Sequence, residues 1–240
     1  MKIKNLYQKN YFSSHPGISN SKKVFNDVEF QLIDQVYGKV VPKDLIKIMD
    51  LGCGYGSMLM YFKKKFPQGV VHGIDPSGES VNYCKSKYNI EIIQKDIEEF
   101  INTNNEKYDF VCLNDVIEHF DKDYVIKILC LIREKLLKRN GYLMITVPNM
   151  GNPFSQNDMW HDYTHINGFN SNSLHQVLNI TGYVNTRIIS NSGHGNLFKT
   201  FMQKFVRRNL AWLFKVTFGM RLTDIYYGTK LISLSLNNEG

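Results

Sequence analysis

The hydrophobic pattern alternates between short apolar runs and longer segments in which apolar residues recur every three or four positions. The first clear run ends at Leu51, glycines follow at alternate positions, and helical spacing begins at Ser57. Short runs flanked by breakers predict buried strands, and their alternation with helices predicts an α/β fold. The predicted strands cover residues 46–51, 69–75, 90–94, 108–113, 141–149, 184–190 and 229–236, and the predicted helices cover 24–36, 57–66, 79–88, 97–101, 124–137 and 171–180.

The turn after the first strand carries Gly52, Gly54 and Gly56. Glycine lets the backbone turn sharply and lets a ligand approach it without a Cβ in between. The helix that follows presents unpaired N–H groups in its first turn. The spacing differs from the G-x-G-x-x-G of dinucleotide sites, and a phosphate-binding loop would need a lysine before Ser57. The turn therefore predicts a nucleotide-type site whose ligand depends on the segments that follow.

An aspartate at the end of the second predicted strand agrees with such a site. Asp75 lies 25 residues after Asp50, close to the spacing at which a βαβ unit places an acid on a ribose. A carboxylate suits this position because its two oxygens accept from the two hydroxyls of a ribose. We therefore expect Asp75 to bind a ribose.

The segment 50–56, Asp-Leu-Gly-Cys-Gly-Tyr-Gly, resembles the first motif of class I S-adenosylmethionine-dependent methyltransferases. Later segments resemble the remaining motifs in order, over about residues 45 to 190. The resemblance is to the ubiquinone-type enzymes and to the small-molecule methyltransferases of bacterial capsule and lipopolysaccharide clusters. It implies a Rossmann-like, seven-stranded, mostly parallel sheet with an antiparallel last strand, helices on both faces, and a helical insertion between strands 6 and 7.

The resemblance also implies S-adenosylmethionine as cofactor and S-adenosylhomocysteine as product. The ribose would be bound at Asp75 and Pro76, and Asp96 would accept from the amino group of the adenine, with Ile97 stacking nearby. An N-cap role for the following helix is the alternative for Asp96. The expected cofactor-binding residues are Asp50, Gly52, Cys53, Gly54, Asp75, Pro76, Asp96, Ile97 and Asn114.

The stretch just past the fifth strand offers candidate catalytic groups. His161, Asp162 and His165 lie here, at the carboxyl edge of the sheet, where open α/β folds bind ligands. A histidine can take the proton of an alcohol acceptor at neutral pH. We expect His165 to act as the base or to hydrogen-bond to the methyl acceptor. His161 is the second choice, and Asp162 is a candidate orienting group. The alternative is that these side chains only hold the loop together.

Metal binding is a second alternative role for the three residues of this stretch. His161, Asp162 and His165 are suitable ligand types, but nothing in the sequence fixes their geometry, so no metal is predicted. Glu118 and His119 follow the fourth strand, where some members of the resembled family place catalytic or metal-binding groups. Capping of the helix that begins at residue 121 or 122 explains this pair equally well.

The charge balance bears on partners. The chain has 29 Lys+Arg and 22 Asp+Glu, a net charge of +7, which favours an anionic small-molecule acceptor, a nucleic acid or a membrane surface, although ordinary surface lysines explain it as well. The four cysteines have no C-x-x-C spacing and are expected to be reduced, as in a cytoplasmic protein. No apolar stretch reaches the roughly 18 residues of a spanning helix, and the first residues lack the apolar core of a signal peptide.

Two further segments are predicted, one before the methyltransferase domain of residues 45–240 and one within it. Residues 1–44 are expected to form a helical and aromatic cover in which Tyr7, Tyr11 and Phe12 either close the cofactor cleft or pack on the sheet edge. Residues 197–226 form a basic amphipathic insertion, with aromatic residues among lysines and arginines over 197–220. Such a segment suits an anionic membrane surface, a homodimer face or a flap over the substrate, and packing on the sheet is the simplest alternative.

These observations predict O-methylation of a small polar or phosphorylated metabolite or glycan precursor, at a sugar hydroxyl or a phosphate-type oxygen, in capsule or lipopolysaccharide biosynthesis. N-methylation of a small metabolite, an RNA or protein methyltransferase, and a non-catalytic cofactor-binding subunit are the alternatives. RNA base methylation often accompanies an Asn/Asp-Pro-Pro-Tyr/Phe motif after strand four, where this chain has Asn114-Asp115-Val116-Ile117. We therefore expect no nucleic-acid partner.

Overall fold

The computed structural model describes residue 34 and residues 47–90, 92–152, 155–190, 197–219 and 228–238. Nearly all of the predicted N-terminal cover, with Tyr7, Tyr11 and Phe12, therefore lies outside the described residues, as does the end of the insertion. The strands are β1 (Lys47–Leu51), β2 (Val70–Asp75), β3 (Ile93–Gln94), β4 (Tyr108–Asn114), β5 (Leu137–Pro148), β6 (Tyr183–Ser190) and β7 (Lys230–Asn237), and the α-helices are α1 (Ser57–Lys65), α2 (Gly78–Tyr88), α3 (Ile97–Thr103), α4 (Lys122–Leu131), α5 (Gln156–Trp160), α6 (Ser171–Ile180) and α7 (Leu197–Phe218).

The seven strands form one sheet in the order β3-β2-β1-β4-β5-β7-β6. β1 pairs in parallel with β2 and β4, whereas β7 runs antiparallel to both β5 and β6. The predicted Rossmann-like sheet with an antiparallel last strand is thus confirmed. The strand order reverses between β1 and β4, and the crevice outside their carboxyl ends is where such sheets bind ligands.

The core lies on both faces of the sheet because side chains of a strand alternate between faces. Met49 and Leu51 of β1 pack in one hydrophobic cluster with helices α3, α4 and α6, while Ile48 packs in another with α1. All three of these β1 residues are fully buried. The central strand is therefore covered on both sides, which fixes the position of the glycine turn that follows it.

The connection into β5 differs from the prediction. The predicted helix extended to residue 137 with a glycine cap at Gly141, but α4 ends at Leu131 and continues as one wide π-helical segment, Ile132–Leu136, before the strand begins at Leu137. Asn140, not Gly141, adopts the left-handed backbone, with φ of 58°. Asparagine tolerates this conformation better than most residues, so the turn signal was assigned one residue too late.

The insertion between β6 and β7 forms one helix of 22 residues, α7, so the predicted helical insertion is confirmed. Ala211 is buried, whereas Phe201, Trp212 and Phe218 each expose more than 60% of their surface. Among the helices of the described residues, none is both long enough and apolar enough to cross a bilayer. The four cysteines, all described, are unbridged, as expected.

Candidate active site

The glycine turn begins where β1 ends. The amides of Gly52 and Cys53 both donate to the carbonyl oxygen of Ile74 at 2.9 Å, which ties the turn to the end of β2. Gly52 has a φ of 75°, and a Cβ there would lie 2.9 Å from a methyl carbon of Val116. Both the backbone conformation and the close approach of the β4 loop therefore require glycine at this position.

Asp75 faces this turn from the end of β2. One carboxylate oxygen accepts from the amide of Gly54 and the other from the amide of Ser77, each at 2.9 Å. Burial raises the pKa of Asp75, and these hydrogen bonds oppose the rise. Pro76 is half-buried and follows directly. The predicted ribose-binding residues thus lie beside the glycine turn, with the carboxylate oriented by backbone amides.

Two polar side chains at the same edge have buried atoms without partners. Asp50 is 1% exposed; one of its oxygens accepts from the Cys112 thiol at 3.0 Å. The other oxygen, and the side-chain oxygen of Asn114, have no hydrogen-bond partner within the described part of the chain. Burial, partly opposed by the Cys112 hydrogen bond, raises the pKa of Asp50 to about 7. A ligand that brings hydrogen-bond donors or positive charge fits this edge, as the expected S-adenosylmethionine would.

The residues expected to contact the adenine, Asp96 and Ile97, lie at the start of α3. Asp96 caps α3 by accepting from the amide of Glu98 at 3.1 Å, and the hydroxyl of Tyr124 lies 3.4 Å from the same carboxylate oxygen. The capping alternative for Asp96 is therefore present. Ile97 is 6% exposed and packs in the core. Its stacking on the adenine stays a prediction.

A short 3-10 turn, Ile117–His119, follows β4 and joins it to the loop before α6. The backbone carbonyl of Glu118 accepts from the amides of Ile166 and Asn167, at 2.9 and 3.0 Å. The loop predicted to carry the catalytic residues is therefore fixed to the end of the strand that borders the glycine turn. The end of β4 thus joins the predicted cofactor-binding residues to this loop, named the acceptor loop (residues 160–169).

His165 is held in one tautomer by the loop itself. Its Nδ1 lies 3.0 Å from the carbonyl oxygen of Met159, and since a carbonyl only accepts, Nδ1 carries the proton and Nε2 is the basic nitrogen. His165 is 8% exposed. Its ring centroid is 4.7 Å from that of His119. The predicted catalytic residue is thus oriented, and its ring packs edge-on against that of His119 from the turn after β4.

Asp162 supports His119 through Thr164. Its expected role as an orienting group for His165 stays a prediction. The hydroxyl of Thr164 donates to Asp162 at 2.6 Å and therefore accepts from Nδ1 of His119 at 2.9 Å. Burial, with the neighbouring His165, lowers the pKa of His119 to about 4. His119 is consequently neutral at physiological pH, with its proton on Nδ1.

The predicted trio does not form one group. His161 is exposed, and its ring centroid is 6.3 Å from that of His165. The residues whose ligand-type atoms do converge are Glu118, His119 and His165, all within 4.8 Å of one another. Glu118 is 1% exposed, and neither of its carboxylate oxygens has a hydrogen-bond partner among the described residues. Burial first, and the charge of Asp115 second, raise the pKa of Glu118 well above its usual range.

Sequence reasoning missed Lys230 and Thr164. Lys230 opens β7 and forms an ion pair with Asp115, a residue in the left-handed conformation with φ of 54°. Only the position of β7 beside β5 brings this lysine to the site, and no local pattern signals it. Thr164 could have been found, because a threonine two residues after an aspartate commonly hydrogen-bonds to it.

Comparison with known proteins finds one family and several partial relatives. The family model described as "Methyltransferase domain" matches residues 26–188. The chain is 30% identical over 83 residues to N-methyltransferase 4 of Papaver somniferum, covering 32% of this chain and 23% of that protein. It is also 30% identical over 105 residues to malonyl-[acyl-carrier protein] O-methyltransferase of Halalkalibacterium halodurans, covering 41% and 38%. The chain thus spans less than two fifths of the length of either relative.

A solved structure resembles nearly the whole chain. A SAM-dependent methyltransferase from Archaeoglobus fulgidus aligns with a TM-score of 0.67 and 16% identity, covering 98% of this chain and 100% of that one. At this identity the likeness shows the fold alone.

Proposed function

The chain belongs to the methyltransferase domain family, and on that premise we propose that it transfers the methyl group of S-adenosylmethionine to the oxygen of a small polar acceptor. One observation carries the proposal: the glycine turn with Asp75 and the oriented His165 meet at the same carboxyl edge, joined by the hydrogen bonds between Glu118 and the loop. Donor and acceptor would therefore lie side by side, and methyl transfer depends mainly on their alignment.

The residues present fit the cofactor. When bound, S-adenosylmethionine supplies a methyl group on a positively charged sulfur. Asp75 would bind the ribose hydroxyls, and the glycine turn lets the nucleoside approach the backbone. The unpartnered oxygens of Asp50 and Asn114 would accept from donors of the methionine part. Asp96 would accept from the amino group of the adenine.

His165 would act on the acceptor. Its basic Nε2 can accept a hydrogen bond from a hydroxyl and take the proton as the new bond forms. Met159 keeps the ring in that tautomer through its carbonyl oxygen. His119 stays neutral beside it, so it does not repel the developing charge on His165 as a second cation would. His161, exposed at the loop surface, would contact a more distant part of the acceptor.

The charges around the cluster bear on the acceptor class. Carboxylates of Glu118, Asp115 and Asp162 lie here, and Lys230 is paired with Asp115. This setting favours an uncharged hydroxyl, such as that of a sugar in a glycan precursor, at the reacting atom. A phosphorylated or nucleotide-linked acceptor would place its charge away from the cluster. A role in capsule or lipopolysaccharide biosynthesis fits such acceptors and is part of the proposal.

A small amine is the second candidate acceptor. The carboxylates of Asp115 and Asp162 would stabilise an ammonium group, and a curated relative is an N-methyltransferase. The amine would have to lose its proton before transfer, which His165 can accept. The product therefore distinguishes the two candidates directly.

The location of the enzyme is proposed from α7. Its exposed aromatic residues share the helix with Arg208 and Lys215, which are also exposed. We propose that this helix contacts an anionic membrane surface from the cytoplasmic side, because a basic aromatic amphipathic helix can lie at the boundary of the lipid headgroups. Residues 1–44 would cover the cleft as a separate segment, ahead of the catalytic domain of residues 45–240.

The test is methyl transfer itself. Purified protein with methyl-labelled S-adenosylmethionine would be offered nucleotide sugars, free sugars, phosphorylated metabolites and amines, and the products would be identified by mass spectrometry. We expect label in an O-methyl ether of one acceptor class. Label at nitrogen would replace the first candidate by the second. Protein that binds neither S-adenosylmethionine nor S-adenosylhomocysteine in calorimetry would remove the proposal.

A further inference from the structure

We propose that Glu118, His119 and His165 bind a divalent first-row transition-metal cation at the acceptor end of the site. The inference deepens the proposed function, on which its catalytic role rests. One ligand-type atom of each residue lies within 4.8 Å of the other two. Nitrogen and oxygen ligands bind such cations at about 2.0–2.2 Å, which puts neighbouring ligands about 3 to 4 Å apart. Small side-chain shifts would therefore close the group around a cation.

Glu118 gives the strongest reason to expect a ligand here. Its side chain is 1% exposed, and no hydrogen-bond donor for either oxygen occurs among the described residues. A carboxylate without partners in a buried place is costly, and a protonated carboxyl would still leave its hydroxyl without an acceptor. A bound cation satisfies the carboxylate directly.

The two histidines are oriented as metal ligands usually are. A ligating histidine typically donates its second ring N–H to a carbonyl, a carboxylate or a water, which fixes the tautomer. His165 donates from Nδ1 to the carbonyl of Met159, and His119 donates from Nδ1 to Thr164, which in turn donates to Asp162. These supports place the basic Nε2 of each ring on the side away from its hydrogen-bonded partner.

The ligand set selects the class of cation. Two imidazoles and one carboxylate suit zinc, iron(II), manganese or cobalt, whereas calcium and magnesium prefer oxygen alone. Three protein ligands leave a position for a further ligand, as in catalytic zinc sites. An acceptor hydroxyl in that position would lose its proton more readily, since a bound cation lowers the pKa of an attached oxygen. The cation would then take over the activation that His165 alone would otherwise provide. The released proton would pass to water, because Nε2 of His165 would be bound to the cation.

The test uses untagged full-length protein stripped of metals, titrated with Zn²⁺ in a calorimeter and with Co²⁺ under visible absorption. We expect one tight site per chain and a ligand-field spectrum for Co²⁺. Glu118→Gln, which keeps the shape of the side chain, and His165→Ala should each weaken Zn²⁺ binding by about 100-fold. The matched control is His175→Ala, because His175 is exposed on α6 and should leave Zn²⁺ binding unchanged.

Two outcomes overturn the inference: no binding of Zn²⁺ or Co²⁺ by the unaltered protein, or binding that His175→Ala weakens as much as the other two variants do. If Glu118→Gln does not fold, Zn²⁺ added to the unaltered protein should shift the NMR ring-proton signals of two histidines and not those of His175. Binding of S-adenosylhomocysteine is measured in parallel. Its loss would count against the proposed function, whereas its presence without metal binding would count against the cation alone.

Discussion

The amide of Gly54 donates a hydrogen bond of 2.9 Å to the carboxylate of Asp75, which joins the glycine turn to the end of β2. The contact orients an acid whose expected partner is a ribose. Replacing Asp75 with alanine removes both carboxylate oxygens, which would accept hydrogen bonds from the ribose as charged groups. We therefore expect S-adenosylhomocysteine to bind about 10- to 100-fold more weakly. Calorimetry measures this directly. Asp123→Ala, at an exposed aspartate of α4, is the control, and equal affinity of both variants would contradict the ribose role.

His165 should matter for turnover and not for cofactor affinity. Its ring lies in the acceptor loop, so we expect His165→Ala to lower kcat by about 10²- to 10⁴-fold, the usual contribution of a positioned base. Affinity for S-adenosylhomocysteine should change less than about 3-fold. Steady-state kinetics with calorimetry separates the two effects. Undiminished turnover in this variant would remove His165 from the mechanism.

The buried Asp50 predicts a dependence of stability on pH. Its pKa is about 7 in the folded protein and 3.8 as the ordinary value, so between these values the folded state holds a proton that the unfolded state has lost. Its contribution to stability is full below pH 3.8 and is lost as the pH rises through 7. The free energy of unfolding should fall relative to Asp50→Asn by about 1.4 kcal/mol per pH unit over pH 4.5–6.5. Urea unfolding at several pH values measures both slopes, and parallel slopes would show that Asp50 is already ionised.

Gly52 combines a left-handed backbone with a close neighbour, whereas Gly219 has the backbone alone. Gly219 has a φ of 67° and nothing within 4 Å of an added Cβ. We expect Gly219→Ala to cost about 1 kcal/mol from its backbone. Gly52→Ala should cost at least about 1–3 kcal/mol more, because the new methyl group meets Val116. Equal losses in denaturant unfolding would mean that the β4 loop moves away at no cost.

The membrane proposal predicts vesicle binding through α7. A variant with serine at Phe201, Trp212 and Phe218 removes exposed apolar surface while leaving the basic residues. It should lose most of its flotation with anionic vesicles, whereas neutral vesicles should retain little of either protein. The control is Trp160→Ser, at a tryptophan 68% exposed in the acceptor loop. A change of oligomeric state without any vesicle binding would instead identify α7 as a homodimer face.

The sequence predicted the elements that local patterns determine. β1, the glycine turn and Asp75 follow from an apolar run, alternate glycines and a βαβ spacing, and each lies where it was expected. β3 was predicted as five residues but pairs over only Ile93–Gln94. Its ladder depends on β2 alone at the sheet edge, and such long-range pairing is not written in the local apolar pattern.

The acceptor side was predicted only in part, because its groups come from distant segments. The sequence identified Asp162 and His165 as candidate catalytic residues but could not identify their partners. Thr164 hydrogen-bonds both to Asp162 and to His119, which lies 45 residues earlier along the chain. Glu118 and His119 were considered as catalytic or metal-binding groups or as helix caps, and the sequence could not choose between these roles. Lys230 reaches the site through the order of the last strands, which becomes visible only once the sheet is assembled.

The backbone hydrogen bonds from Ile166 and Asn167 to Glu118 have a consequence for anyone who would redesign this protein. They fix the acceptor loop to the end of β4. A graft that changes the shape of the loop would therefore also displace groups beside the proposed cofactor site. New acceptor preferences are better sought by exchanging outward-pointing side chains, such as His161, than by altering loop length.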